Sequence, residues 1–228
     1  MKRALLSWSS GKDSAWALHV ARAQGIPVTG LLTSFNSAAD RVAMHAVRRS
    51  LVEAQAAAAN LPLYPVLLPW PCPNAEYESL MAEACRRAVN DGFDTVIFGD
   101  LFLRDIREYR ERSLAGTGLT PVFPLWEHPT THLAHEMLSA GLRARITCID
   151  KKALPASFAG REFDEALLAE LPAGVDPCGE NGEFHSFAYA GPMFSRPIPV
   201  RVGDLRDGDG FVFADVLPDG APELQWLE

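Results

Sequence analysis

Apolar residues along the chain fall either in short continuous runs or in longer stretches at helical spacing. Ala4 to Trp8 is a mostly apolar run that ends in Ser9-Ser10-Gly11, and from Asp13 the residues Ala15, Trp16, Leu18, His19 and Ala23 recur every three or four positions. That pattern predicts a strand, a tight turn and a helix. Gly25 closes the helix, Pro27 blocks its continuation, and Val28 to Thr33 reads as a second buried strand, which completes a βαβ unit. Val42 to Ala59, rich in Ala, Leu and Glu, is expected to be helical, and Leu63 to Leu68 to be a strand despite Pro65. Tyr77, Leu80, Met81, Ala84, Cys85 and Ala88 put one buried face on a helix between Asn74 and Asp91. Thr95 to Phe98 is the next strand and ends at Gly99-Asp100.

Strands that alternate with helices, each strand a continuous apolar run, imply a mostly parallel sheet covered on both faces, with ligands at the strand carboxyl ends. The pattern changes after Gly118. Pro121 to Trp126 is broken by proline, Pro129 to Ala140 reads as a short helix, Arg143 to Asp150 as a strand, and Phe211 to Val216 as one arm of a hairpin. The expected fold class is therefore α/β: a doubly wound nucleotide-type domain over residues 1–120, then a smaller α+β region over residues 121–228 that takes the substrate. No internal repeat or low-complexity segment occurs.

Composition narrows the function. A formal charge of −8 argues against a general phosphate-backbone binder, so DNA is excluded as a partner and RNA disfavoured. The cysteines, Cys72, Cys85, Cys148 and Cys178, show no CxxC spacing, so neither a disulfide framework nor a zinc ribbon is indicated. Met1-Lys2-Arg3 begins like a signal peptide, but its apolar run stops at Ser7, and no stretch approaches the roughly 20 apolar residues of a membrane span. A cytoplasmic protein with reduced thiols and no membrane contact is the expectation. Lys2, Lys12, Lys151 and Lys152 are the only lysines among 21 basic residues, a bias expected of a GC-rich bacterial genome.

The segment Ser7-Trp8-Ser9-Ser10-Gly11-Lys12-Asp13-Ser14 sets small residues, a Gly and a Lys where strand passes into helix, and backbone amides there can converge on an anion. A Walker A loop would need Gly at position 6 and Ser or Thr at position 13, where Leu and Asp stand; the Rossmann fingerprint fails for want of glycines. The same residues also fit a capped helix, with Ser10 at the N-cap and Asp13 three residues on. The segment resembles the Ser-Gly-Gly-x-Asp-Ser loop of the PP-loop ATP pyrophosphatases, the adenine nucleotide alpha hydrolase-like superfamily. Ser10 replaces the first Gly, and a negative φ is expected there so that serine fits.

The resemblance extends over residues 4 to about 190, to the diphthine–ammonia ligase branch. Phe98-Gly99-Asp100 and Cys178-Gly179-Glu180-Asn181-Gly182-Glu183-Phe184 stand for that branch's Gly-Asp and late Gly-Glu-x-Gly-Glu-aromatic segments. Arg107-Glu108-Tyr109-Arg110-Glu111, Phe123-Pro124-Leu125-Trp126 and Arg41-Val42-Ala43-Met44-His45 sit where related segments occur. The branch has another Glu two residues after Glu183, where this chain has His185.

What the resemblance implies is a ligase that adenylates a carboxylate, releases pyrophosphate into the Ser9 to Ser14 loop, and lets ammonia displace AMP to form an amide. Ser9, Ser10, Gly11, Lys12, Asp13, Ser14 and Gly99 would hold ATP, with Thr33, Ser34 and Met44 bordering the adenine; Asp13 would bind Mg²⁺ or hold the loop backbone. Lys12 would neutralise the leaving group. Asp100, Glu180, Glu183 and His185 are the candidates for positioning ammonia or substrate and moving protons, and Arg107, Arg110 and Glu111 for the substrate side.

The branch's acceptor is diphthine on elongation factor 2, a modification of archaea and eukaryotes, so a bacterial source would demand another carboxylate, free or protein-borne. An N-terminal-nucleophile glutaminase needs Cys beside Met1, and Lys2 stands there, so ammonia is expected free or from a partner. Self-association as a homodimer is left open. Two other readings share the loop: a PP-loop enzyme that modifies tRNA, and a sensor that binds ATP or AMP without chemistry.

Several features have blander readings beside the chemical one. Glu180 and Glu183 also suit a Gly-rich turn with solvated charges. His128, His132 and His135 with Glu127 invite a metal, but Pro129 starts the helix after His128; Cys178 with His185 is a similar candidate. The basic cluster from Arg104 to Arg112, interleaved with acids, equally suits a solvated helix. Trp70, Trp126 and Phe184 are expected to pack rather than stack on a ligand.

Overall fold

The structure, a computed structural model, describes residues 3–42 and 45–220. Its elements are β1 (Ala4–Ser7), α1 (Lys12–Ala23), β2 (Val28–Asn36), β3 (Arg41–Val42), α2 (Arg49–Ala59), β4 (Leu63–Leu68), α3 (Asn74–Asn90) and β5 (Thr95–Ile97). There follow α4 (Arg104–Leu114), β6 (Thr120–Val122), α5 (Thr130–Ser139), β7 (Arg143–Asp150), a 3-10 turn at Ala156–Phe158, α6 (Glu165–Glu170), β8 (Phe184–Ala190), β9 (Val200–Gly208) and β10 (Phe211–Pro218).

The first sheet runs β3-β2-β1-β5-β6, with β4 parallel to β2 along its far edge. β1 pairs parallel with β2 and β5, and β5 with β6, whereas β3 is antiparallel to the end of β2. The period-two alternation of β1 shows why helices lie on both faces. Ala4 and Leu6 join a core with Trp16, Leu18, Leu51 and Val52, while Leu5 faces a second core with Ala88, Val96, Phe98 and Leu114. The α/β expectation holds. Pro65 is tolerated because β4 is paired only on its β2 side.

The second sheet, β8-β7-β10-β9, is antiparallel throughout. Its inward residues Ile146, Phe187, Val212 and Val216 belong to the same buried cluster as Trp8 and Trp16, so the two sheets share one core. Asp209 and Gly210, at φ 49° and 88°, make the tight turn between β9 and β10. A buried ion cluster joins the sheets as well: Asp215 on β10 accepts from Arg41 Nη1 at 2.9 Å, and from Arg48 Nε at 3.1 Å and Arg48 Nη2.

Two expectations are corrected. The helix foreseen from Val42 begins only at Arg49, because Arg41 and Val42 instead pair with Asn36 and Phe35, and Arg48 is held by Asp215. Phe184–Ala190 is a strand of the second sheet. Trp70 is 74% exposed and packs against no core, contrary to expectation, whereas Phe184 is buried. Among the described residues no helix is long and apolar enough to cross a membrane.

Candidate active site

The chain leaves β1 at Ser7 and enters α1 at Lys12, with Gly11 as an N-cap that offers no side chain, while the Lys12 amide donates to Ser186 Oγ of β8 at 3.1 Å. The capped-helix alternative therefore fails at Ser10. The remaining first-turn amides and the helix dipole face the space at the carboxyl edge of the parallel sheet. Ser9 Oγ donates to Ser14 Oγ at 3.2 Å and accepts from the Gly11 amide at 3.3 Å, while Ser14 Oγ donates to Gly11 O at 3.0 Å. Gly99 lies against this turn. A Cβ on it would stand 3.1 Å from the Asp13 carbonyl and the Ser14 amide.

Ser10 departs from expectation: its φ is +72°, in the left-handed region. It thus takes the conformation that glycine adopts freely, at a cost of roughly 1–2 kcal/mol for an L-residue. Neighbours enforce that conformation. The Ser10 carbonyl accepts from the Ala188 amide at 3.0 Å and from Gln55 Nε2 at 2.9 Å, while its own buried hydroxyl has no partner. The loop shape survives the substitution because β8 and Gln55 clamp it. Gln55, also bonded to Trp8 Nε1 at 2.8 Å, is a site-supporting residue that sequence reasoning missed.

The loop opens on a cleft of about 280 Å³ whose walls include Ser9, Lys12, Asp13, Gly99, Asp100, Glu180 and His185. A larger space of about 560 Å³ adjoins it toward the ends of β2 and β4, past Ser34, Leu68 and Phe98, and shares Ser9, His45, Arg110 and His185 with it. Lys12 is buried, with its ammonium bonded to Asp13 Oδ2 at 2.9 Å and to the Cys178 carbonyl, and lying 5.1 Å from the centre of the Phe184 ring. Burial opposes its charge, but Asp13, Cys178 and Asp176 together outweigh that and raise its pKa. Two of its three protons are thereby engaged.

The facing wall comes from the late Gly-rich segment. Gly179, at φ +70°, makes the turn, where a Cβ would meet the Phe184 carbonyl at 2.8 Å. Asp176 accepts from the Cys178 and Glu180 amides at 3.2 and 3.0 Å. Glu180 reaches across to accept from the Leu101 amide at 2.7 Å, joining this segment to the residues after β5. Burial raises its carboxyl to a pKa of about 7, against the Leu101 amide and with help from Asp13 and Asp100. Glu183 behaves differently. It is buried and turned inward, accepting from the Asp176 and Asn181 amides, both at 3.0 Å, and from Asn181 Nδ2 at 2.9 Å. The catalytic expectation for Glu183 is corrected: its oxygens are spent on folding its own loop.

His185 stands in the cleft and packs on His45, ring centres 4.5 Å apart. Burial and the Lys12 charge lower His185 to about 4; burial, His185 and Lys12 lower His45 to about 3. Both imidazoles are neutral near pH 7. Arg110 Nε pairs with Asp100 at 3.3 Å, and its guanidinium lies 4.7 Å over the Phe98 ring.

Other candidates are not brought to the cleft. Thr33 is buried, donating to the Trp8 carbonyl at 2.8 Å, so the adenine border expected of it falls to Ser34 alone; Met44 lies outside the described residues. Arg107 and Glu111 pair with each other at 2.8 Å on the outer face of α4, and Arg107 stacks on Phe123 and Trp126, which corrects their substrate-binding assignment.

His132 and His135 pair with Glu136 and Glu165 on the surface, and Cys178 Sγ donates to Thr130 O. Among the described residues no group of three or more His, Cys, Asp or Glu could hold a metal. Asp13 and Asp100 nevertheless offer hard oxygen donors in the cleft, a set that suits Mg²⁺ sharing its remaining positions with phosphate oxygens and water.

Comparison with known proteins agrees with this architecture. A family model described as "Diphthamide synthase C-terminal domain" matches residues 129–208, the stretch that includes β7, β8 and the late segment. The chain is 32% identical over 103 residues to the diphthine–ammonia ligases of Bos taurus and Homo sapiens, an alignment of 43% of this chain and 39% of each relative. It is 31% identical over 117 residues to that of Danio rerio, covering 48% of this chain and 46% of the relative. These alignments span less than half the length of the curated relatives. The Ser9–Ser14 loop, Gly99-Asp100 and the late segment meet at one cleft, in a chain that is similar over part of its length to the diphthine–ammonia ligases.

Proposed function

We propose that the protein is an ATP-dependent ligase that forms an amide from a carboxylate and ammonia. The carboxylate oxygen attacks the α-phosphorus of ATP, pyrophosphate leaves, and ammonia displaces AMP from the acyl-adenylate. The observation that carries this reading is the first turn of α1, whose N-cap Gly11 offers no side chain, opening into a cleft whose other wall holds Glu180 and His185. Residues 1–120 then serve the nucleotide, and residues 121–228 contribute the facing wall with Glu180 and His185. Free Cys72, Cys85, Cys148 and Cys178 support a reducing, cytoplasmic setting.

Each residue has a task that follows from its placement. The loop amides and the Ser9 and Ser14 hydroxyls bind the β and γ phosphates, and the remaining Lys12 proton meets the departing pyrophosphate. Lys12 and Arg110 face the carboxylates of Asp13, Asp100 and Glu180, so the cleft by itself does not balance a triphosphate. Mg²⁺ held by Asp13 and Asp100 would supply the missing positive charge. Glu180, with its pKa of about 7, can take the proton that ammonia sheds on bonding to the acyl carbon. His185 with its pKa of about 4 is too weak a base for that proton, and it shapes the wall with His45 instead.

Incubation with ATP, Mg²⁺, ammonium and a panel of carboxylates is expected to yield AMP and pyrophosphate. ADP as product overturns the reading, and ATP bound without turnover across the panel favours the sensor. Lys12→Met, which keeps the buried volume, is expected to weaken ATP binding by about tenfold or more, the loss of one charge-assisted hydrogen bond. Unchanged affinity by calorimetry, in a variant that melts normally, removes Lys12 from the phosphate site.

A further inference from the structure

Between α3 and α4 lies a recess of about 250 Å³, lined mostly by apolar atoms, that the proposed reaction leaves unassigned. Tyr77, Met81, Cys85, Phe98 and Leu114 line both it and the space beside the phosphate loop, so the two are continuous. Arg110 stands at the junction. It lines this recess, the adjoining space and the polar cleft, and so links all three.

The guanidinium there is incompletely used. Arg110 Nε pairs with Asp100 and the ring of Phe98 lies beneath, while no described residue accepts from its two terminal nitrogens. Tyr77 shares the junction, close enough for the Arg110 charge to act on its phenol. A cation at the inner end of an apolar recess, beside the expected position of the α-phosphorus, is complementary to a carboxylate that carries an apolar body. At the outer rim stands Glu78, exposed, which would repel a second acidic group.

Resting on the ligase reading above, we propose that the recess selects the acceptor: a monocarboxylic acid with a compact apolar body, whose carboxylate is oriented by Arg110 toward the phosphate loop. The recess is smaller than a drug-sized ligand needs, which favours a short aromatic or branched aliphatic acid over a long-chain one. Glutamate or a dicarboxylate would meet both the apolar walls and Glu78.

Calorimetry with 3-phenylpropanoate and 4-methylpentanoate, titrated into the protein with and without a non-cleavable α,β-methylene ATP, tests this. Saturable binding of both acids at millimolar or lower concentration is expected, with 3-phenylpropanamide and glutamate at least about tenfold weaker. Ala82→Phe and Ser113→Trp narrow the recess from its outer side and touch neither the cleft nor the adjoining space. Each is expected to weaken both acids by about tenfold and leave the nucleotide analogue's affinity unchanged. No binding of either acid, or equal binding of the amide, or acid affinities unmoved in both variants, overturns the proposal. Failure of the nucleotide analogue to bind is a separate result that sinks the ligase reading, and the titrations without analogue still decide the recess.

Discussion

The two loops that face each other across the cleft spend their polar groups in opposite ways. The loop from Ser9 to Ser14 caps its helix with no side chain at the N-cap, and it is held from outside by Gln55 and by β8, whose Ser186 takes the Lys12 amide. The loop from Asp176 to Glu183 satisfies itself: Asp176 and Glu183 between them take four backbone amides, those of Asp176, Cys178, Glu180 and Asn181. Glu180 is its carboxylate that extends outward, and it is anchored on Leu101. A carboxylate in a functional-looking motif is thus as apt to be the nail of a turn as the tool of a reaction, and the count of its internal hydrogen bonds decides which.

The sharpest way to break this contrast is at Glu183. Removing a buried carboxylate that holds two amides and a side-chain amide leaves those donors unpaired, so Glu183→Ala is expected to cost about 3 kcal/mol of stability. Urea unfolding measures it. Glu183→Gln keeps one acceptor oxygen and should lose less. A Glu183→Gln protein of wild-type stability with turnover abolished would make Glu183 chemical after all.

Titration separates the walls next. Glu180 has a folded pKa of about 7 against an ordinary 4.5, so the fold favours its protonated form; stability from this group is present below 4.5 and is lost as pH rises through about 7. His185 works in the other direction. Its folded pKa of about 4 lies below the ordinary 6.5, so the stability it contributes is present above 6.5 and lost as pH falls toward 4. Melting temperatures across pH 4–8 are expected to show the alkaline loss flattened in Glu180→Gln and the acid loss flattened in His185→Gln. Identical slopes in wild type and either variant reject that residue's assignment.

Much of this was legible in the chain. The sheet strands β1, β2, β4 and β5, and α1 and α3, are bounded within a few residues by apolar periodicity, Gly25, Pro27 and the Gly99 break, because each is a local signal. The start of α2 was not, since helix-favouring composition from Val42 onward is overruled by Asp215, which lies 167 residues from Arg48 in sequence and holds both Arg41 and Arg48. In the site, Ser9, Lys12, Asp13, Gly99, Asp100, Glu180 and His185 meet at the cleft as their motifs imply. Arg107 and Glu111 do not, because their four-residue spacing makes them partners of each other. Gln55 carried no local signal at all. A lone glutamine in an Ala-rich helix gains its meaning only from Trp8, Ser10 and Ala188, which the fold delivers to it.

Ser10 tests the externally held loop. Replacing it with Gly removes both the left-handed strain and the unpartnered buried hydroxyl, at some entropic cost in the unfolded chain, for an expected gain of about 1 kcal/mol with ATP affinity retained. A loss of stability would mean that the Ser10 hydroxyl holds the turn.

The smallest expected effect belongs to the outer face of α4. Arg107 and Glu111 are an exposed i, i+4 pair, so Arg107→Ala is expected to change stability by about 0.5 kcal/mol or less and to leave turnover untouched, because the guanidinium lies over Phe123 and Trp126 rather than in the cleft. Its neighbour one helical turn along, Arg110, provides the control: it lines the cleft and pairs with Asp100, so Arg110→Met should raise the KM for the carboxylate while Arg107→Ala does not. Equal losses in the two variants would mean that both faces of α4 reach the substrate, and the outer pair would then have to open when the acceptor docks.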